Sequence, residues 1–136
     1  MMVSTRGRYA LRVMIDLAEQ DANSYIPLKD IVARQNISQK YIEAIMNLLS
    51  KQGLVSTMHG KGGGYKLSRK PSDYKIGEIL RLTEVSIAPV ACLNEGAPEC
   101  DRAAECRTLP LWAELNKRIL GFLDSVTIAD YMKKNN

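Results

Sequence analysis

The sequence predicts a mainly α fold with one small β-hairpin. Three observations carry that prediction. Apolar residues recur at helical spacing in several separate stretches, from residues 5–20 near the start to a run that opens at Pro110. Two short strand-like runs, LVSTM and YKLSR, flank the glycine-rich segment HGKGGG. Between the last two helical stretches lies CLNEGAPECDRAAEC, which holds the only three cysteines, Cys92, Cys100 and Cys106.

The chain has 136 residues, 46% of them hydrophobic, enough for one core or for a compact domain with an appended helical arm. No run of about 18 uninterrupted apolar residues exists to span a membrane. The start, MMVSTRGRYALRV, has arginines but no apolar h-region, so no secretory signal is expected. The expected location is the reducing cytoplasm. Clustered thiols there are more often metal ligands or redox sensors than structural disulfides.

The elements follow in order. Over residues 5–20, Tyr9, Ala10, Val13, Met14, Leu17 and Ala18 form one stripe, and Ser4 or Thr5 can cap the helix. Pro27 opens a short second helix carrying Leu28, Ile31 and Val32, and Gln35-Asn36-Ile37 turns the chain. Ser38 caps a third helix that Gly53 ends. Its apolar stripe is Ile42, Ile45, Met46 and Leu49; its other side shows Gln39, Lys40, Glu43, Asn47 and Ser50.

Two short helices joined by a tight turn, the second polar outside, describe a helix-turn-helix or a plain three-helix packing unit. In the first case Gln39, Lys40 and Glu43 are expected at base edges, and Ser38 and Tyr41 at phosphates. A hairpin directly after such a unit makes a winged helix. Its glycines, Gly62 and Gly63 among them, would let backbone approach a phosphate, while Lys61 and Lys66 add charge. His59, the one histidine, sits on the same tip as either a solvated residue or a minor-groove contact. HGKGGG lacks the order of a nucleotide-binding P-loop and precedes a strand, not a helix.

Pro71-Ser72-Asp73 makes a turn, and a short helix follows with Ile76, Ile79, Leu80 and Thr83 on one face. In the last long helix Trp112, Leu115, Ile119, Phe122 and Val126 are spaced 3, 4, 3, 4, a seam for packing along another helix. The seam suits a dimer or docking on its own domain. A short helical end is expected over Ile128 to Lys134. The division is thus a winged helix-turn-helix domain with supporting helix at 1–84, a cysteine loop at 85–107, and a dimerisation helix and end at 108–136.

Charge is uneven. Residues 1–75 carry 12 Lys/Arg against 6 Asp/Glu; residues 76–136 carry 7 against 9. A basic head suits a polyanion, nucleic acid first, though an ordinary solvated surface has similar charge.

The cysteine gaps are seven and five residues, unlike the C-x₂₋₄-C of compact zinc sites. Thiolates hold soft metals and iron–sulfur clusters. Three thiols leave one position open, for which Glu95, Glu99, Asp101 or Glu105, a partner subunit or a small exogenous ligand are candidates. The acids are expected to disfavour bare thiolates. There is no CxxC and no acid–base constellation, so an enzyme is not expected.

The start STRGRYALRVMIDLA, the core ISQKYIEAIMNLLSKQGLVSTMHGKGGGYKLSR, the segment YKIGEILRLTE and three cysteines ahead of a Trp-bearing helix resemble the Rrf-type winged-helix transcriptional regulators, the IscR/NsrR/CymR group. The resemblance covers nearly the whole chain. It implies a homodimer on a palindromic DNA operator, with long C-terminal helices crossing at the interface. It implies that Cys92, Cys100 and Cys106 match three ligands of a [2Fe-2S] or [4Fe-4S] cluster, and that Ser38 to Glu43 and His59 to Gly64 match the DNA-reading surfaces.

The chain departs from the family pattern at three places. Where the iron–sulfur-sensing branch has a histidine soon after the third cysteine, this chain has Arg107, Thr108 and Leu109; where the nitric-oxide-sensing branch supplies an N-terminal aspartate, it has Arg8. The fourth ligand is therefore unassigned. His59 stands where the first of those branches carries a wing arginine. The cysteine-metabolism branch implies an alternative: a cluster-free regulator of the same fold, sensing thiol or sulfur status or a partner enzyme.

Overall fold

In the computed structural model, which describes residues 3–134, the first helix, α1, runs Thr5–Ala18. Ser4 caps it, its hydroxyl accepting from the Gly7 amide at 3.0 Å. α1 buries Ala10, Val13, Met14 and Leu17 along one stripe. α2 spans Leu28–Gln35, one residue later at both ends than expected, and α3 spans Gln39–Lys51. Asn36 ends α2 in the left-handed conformation, φ 52°, which turns the chain sharply into α3. Ile42, Ile45, Met46 and Leu49 of α3 are buried against α1 and Ile31 of α2. The pair α2–turn–α3 is the helix-turn-helix, and a packed core rather than propensity holds it.

The hairpin pairs β1, Val55–Met58, with β2, Gly64–Leu67, in antiparallel register from Val55↔Leu67 to Met58↔Gly64. The tip is one residue shorter than expected because Gly64 already pairs. Ile26 adds a third pairing, its amide and carbonyl exchanging hydrogen bonds with Tyr65 at 2.8 and 2.9 Å. A Cβ at Gly64 would stand 2.1 Å from the Ile26 carbonyl oxygen, and one at Gly63 would stand 2.2 Å from that of Met58. These two glycines therefore serve close approach within the wing itself. At Gly63 the missing side chain is thus required by the hairpin's own packing, whatever its backbone contacts outside.

After a 3-10 turn at Pro71–Asp73, α4 covers Ile76–Thr83 and α5 covers Leu109–Leu123, with 3-10 turns at Ala91–Leu93 and Ile128–Tyr131. The expected helical end is thus a single 3-10 turn, which carries fully buried Ile128 onto α1. Tyr74, just before α4, is fully buried. Its hydroxyl donates to the Leu54 carbonyl at 2.6 Å and accepts from the Ser68 and Arg69 amides at 2.9 Å each. One side chain thus joins both legs of the hairpin to α4.

A second buried polar element joins α1 to α2. Asp16 is 3% exposed, and Arg34 meets it with two nitrogens at 2.8 and 3.0 Å while Gln35 donates at 2.7 Å. This pairing holds the Arg34 guanidinium above its usual range, the hydrogen bond to Asp16 being the main cause. The fold is a winged helix-turn-helix with a supporting helix and a long C-terminal helix.

α5 differs from the other helices, since none of its residues is buried. Leu120 and Leu123 rest on the core, whereas Leu111, Leu115 and Phe122 are 58%, 38% and 58% exposed. The seam stops at Phe122. Val126 lies beyond the helix, packs on the core, and gives its carbonyl to the Ile76 amide at 3.0 Å. Helix α5 ends early because Asp124 is gripped by Arg81 at 2.7 and 2.9 Å, and Ser125 turns its hydroxyl onto the Phe122 carbonyl. Val126 therefore continues the seam's spacing from outside the helix.

Candidate nucleic-acid interface and cysteine loop

The first turn of α3 presents Ser38, Gln39, Lys40, Tyr41 and Glu43, all exposed. Ser38 spends its oxygen as the helix cap, accepting from the Tyr41 amide at 3.2 Å, and keeps its hydroxyl proton for a further acceptor. Gln39 donates to Glu43 at 3.2 Å, one helical turn on, so the two form a single polar unit. Tyr41 meets the Tyr9 ring edge-on with centroids 5.3 Å apart, and Arg12 lies 5.2 Å over that same ring. This stack pins the start of α3 to α1.

The wing tip carries His59, Lys61 and Gly62 exposed, with Gly63 half-buried behind them. Lys66 is apart from that tip. It sits on β2, half-buried, its ammonium 4.6 Å from the Tyr25 ring centre. Several cations of the basic head are structural: Arg34 serves Asp16, Arg69 pairs with Glu78, and Arg6 donates to the Thr83 carbonyl. Lys40 and Lys61 form no salt bridge among the described residues, and both are exposed. These consumed arginines are what a net charge cannot reveal.

The cysteine loop is rooted at Glu84, whose carboxylate accepts from the Ser4 amide and hydroxyl at 2.5 Å each. Burial opposes that charge, but the Ser4 hydrogen bonds outweigh it and hold the carboxyl below its ordinary range. Gly7 lets the two segments meet, because a Cβ there would stand 2.7 Å from a Glu84 oxygen. Cys92 and Cys100 are exposed, Cys106 is half-buried, and none is in a disulfide.

Proximity along the chain does not become proximity in space: no three Cys, His, Asp or Glu gather into a metal-binding group among the described residues. The description of the cysteines as clustered is therefore corrected. The physical reason is that local turns alone shape most of this loop, with few of its side chains reaching the core. As donors the three unpaired thiols fit an iron–sulfur cluster, whose usual protein ligands are cysteines. Cys106 also departs from expectation. Its thiol lies 3.6 Å from the Thr108 hydroxyl beside the start of α5. The Thr108 side chain, the Thr108 and Leu109 amides and the Arg102 charge hold it below the usual thiol range, against the effect foreseen from the loop's acids.

A family profile described as "Rrf2: Iron-dependent Transcriptional regulator" matches residues 3–134. The chain belongs to the Rrf2 family. This Rrf2 regulator is 36% identical to the HTH-type transcriptional regulator IscR of Photobacterium profundum, over 100% of this chain and 78% of that protein. It is 37% identical to IscR of Vibrio atlanticus, over 99% and 77%. Among solved structures it is similar to T. potens IscR, with a TM-score of 0.75, 36% identity and coverage of 96% and 85%. It is also similar to CymR, the global cysteine regulator of B. subtilis, with a TM-score of 0.79, 32% identity and coverage of 100% and 99%.

The curated relatives are named as transcriptional regulators, not enzymes. Membership makes this chain an Rrf2-type transcriptional regulator and implies DNA binding. Among the described residues no helix is long and apolar enough to cross a membrane. Sequence reasoning missed Tyr74, Asp16 and Glu84, since each has a decisive partner at least 18 residues distant. A polar residue at a core-facing register, such as Asp16 beside Leu17, was the one available signal.

Proposed function

We propose that this Rrf2 regulator acts as a homodimer on duplex DNA, and that its operator affinity responds to an iron–sulfur cluster held by Cys92, Cys100 and Cys106. The observation that carries this reading is one connected arrangement. Three unpaired thiols lie in a loop rooted by Glu84 on the start of α1, and α1 bears Tyr9, against which Tyr41 of α3 is set. A change in the loop's shape therefore has a path to the face of α3. The names of the IscR relatives and the iron-dependent family description support it.

In this reading Gln39, Lys40 and Glu43 face base edges, and Ser38 and Tyr41 meet phosphates. His59, Lys61, Gly62 and Gly63 form the wing's contact, and Lys66 adds positive field from behind the tip. Cys92, Cys100 and Cys106 would supply three ligands, the fourth being unassigned, and a bound cluster would supply an iron–sulfide centre sensitive to iron supply, oxygen or nitric oxide. The chain's own part is to draw three separated sulfurs together, so that binding and loop ordering are one event. Trp112, Leu115, Ile119 and Phe122, with Val126 just past the helix, supply the dimer seam. The 1–84, 85–107 and 108–136 division then corresponds to reading, sensing and pairing.

An absorption spectrum of anaerobically prepared protein, with iron and sulfide counts, tests the sensing half. Visible bands with stoichiometric iron and sulfide are expected; a colourless protein overturns it. That result would favour the second reading, a cluster-free regulator sensing thiol or sulfur status or a partner enzyme. The thiol of Cys106, held below its usual range, and the likeness to CymR are the observations in its favour.

The reading half has its own test. Lys61→Ala is expected to weaken binding to all DNA sequences alike, with the salt slope reduced by about 1. Gln39→Ala is expected to change sequence preference, by about 1–3 kcal/mol at one base position. Fluorescence anisotropy over a set of single-base operator variants separates the two, and identical behaviour of both variants would contradict the assignment.

A further inference from the structure

Between the end of α4, the root of the cysteine loop and α5 lies a cleft of about 410 Å³. That volume is within the range of small-molecule sites. Ile87, Leu93 and Leu120 give it an apolar side. Glu84, Glu95 and Asn116 give it a polar one. The side-chain oxygen of Asn116 is buried and has no hydrogen-bond partner among the described residues. Native proteins rarely leave a buried acceptor unmet, and one that lines a cleft is an acceptor waiting for a donor.

The neighbouring groups fix the sign of that donor. Glu84 is held as the charged carboxylate by Ser4, and Glu95 is exposed with no ion pair among the described residues. The lining's one cation, Arg81, is already committed to Asp124 through two hydrogen bonds. The Ser86 hydroxyl is satisfied on both sides, donating to Asn94 and accepting from the Ala88 amide. What remains is two carboxylates and the Asn116 oxygen as acceptors, with the Asn116 amide nitrogen as a donor beside them, so the net charge open to the cleft is negative. An anion would meet repulsion here, and a neutral apolar molecule would leave the Asn116 oxygen unmet.

We propose that this cleft binds a small molecule carrying a protonated primary amine on a short apolar body. The ammonium donates to the Asn116 oxygen beside the Glu84 and Glu95 carboxylates, and the body rests on Ile87, Leu93 and Leu120. The site uses none of the cysteines, but Leu93 and Glu95 belong to the loop that carries them, so the test is made on cluster-free protein.

The test is a ¹H–¹⁵N correlation spectrum of the full chain titrated with 3-methylbutylamine, with 3-methylbutanol as the uncharged control. Expected are saturable shifts of the Asn116 side-chain amide and the Ile87 and Ala88 backbone amides. The dissociation constant for so small a probe is expected on the order of 1 mM. The alcohol should bind about tenfold or more weakly, because it brings no charge-assisted hydrogen bond. Asn116→Leu should abolish the saturable response. Glu95→Gln alters only an exposed side chain, and should weaken the amine about threefold to tenfold while leaving the alcohol unchanged. The proposal is overturned by any of three results: no saturation at these residues, equal response to amine and alcohol, or unchanged amine affinity in Glu95→Gln. It also fails if the amine moves these resonances only at protein concentrations below dimerisation, since a second copy then fills the cleft.

Discussion

Tyr74→Phe is expected to destabilise the fold by about 3 kcal/mol, seen as a lower urea midpoint at unchanged slope. The substitution keeps the ring and its packing, so almost no cavity forms. What it removes is one oxygen that serves three backbone groups, the Leu54 carbonyl and the Ser68 and Arg69 amides. An unmet buried polar group costs about 1–3 kcal/mol. Three such groups, with some relief from water reaching Ser68 and Arg69 at the exposed edge, give the stated figure. Because Leu54 leads into β1 and Ser68 follows β2, hydrogen exchange should also rise across the hairpin before it rises in α1. A loss below about 1 kcal/mol would mean that the hydroxyl is replaceable by water, and that the wing is anchored elsewhere.

Changing Leu115 and Phe122 together to lysine is expected to yield a monomer and to lower operator affinity at least 100-fold, an order-of-magnitude figure for losing one of two linked half-sites. The argument rests on α5. It leaves Leu111, Leu115 and Phe122 in water in the single chain, while Leu120 and Leu123 alone hold it to the core. A two-fold axis along that face would bring each lysine near its own copy, and like charges would oppose association. Circular dichroism should show the helices retained, since neither side chain supports the protomer's core. A dimer that survives the double change in analytical ultracentrifugation would show that the seam is elsewhere.

How much of this was legible beforehand varies by element. The stripe of Ile42, Ile45, Met46 and Leu49, with Ser38 before and Gly53 after, marked α3 closely, because local periodicity and caps define a helix that packs on one side. The hairpin was legible for the same local reason. Its third pairing at Ile26 was not, since nothing in a residue's own neighbourhood announces a bridge to Tyr65. Val126 shows the converse failure: the spacing ran on in register, but Arg81, 43 residues from Asp124, ended the helix first. The cysteines show it again. Their nearness in sequence was real, but the loop's one buried side chain, Ile87, lies ahead of all three cysteines and leaves them ungathered in space.

The most direct test of cluster-set DNA affinity is the dissociation constant for an operator selected from the regulator's own genome. It is measured anaerobically at fixed salt for cluster-loaded protein, for the same preparation after chelation, and for Cys92→Ala, Cys100→Ala and Cys106→Ala. The expected result is a difference of at least about tenfold between loaded and chelated protein, a coupling of about 1.4 kcal/mol, with all three variants behaving as the chelated form whatever iron is supplied. Equal affinity in every preparation would contradict it.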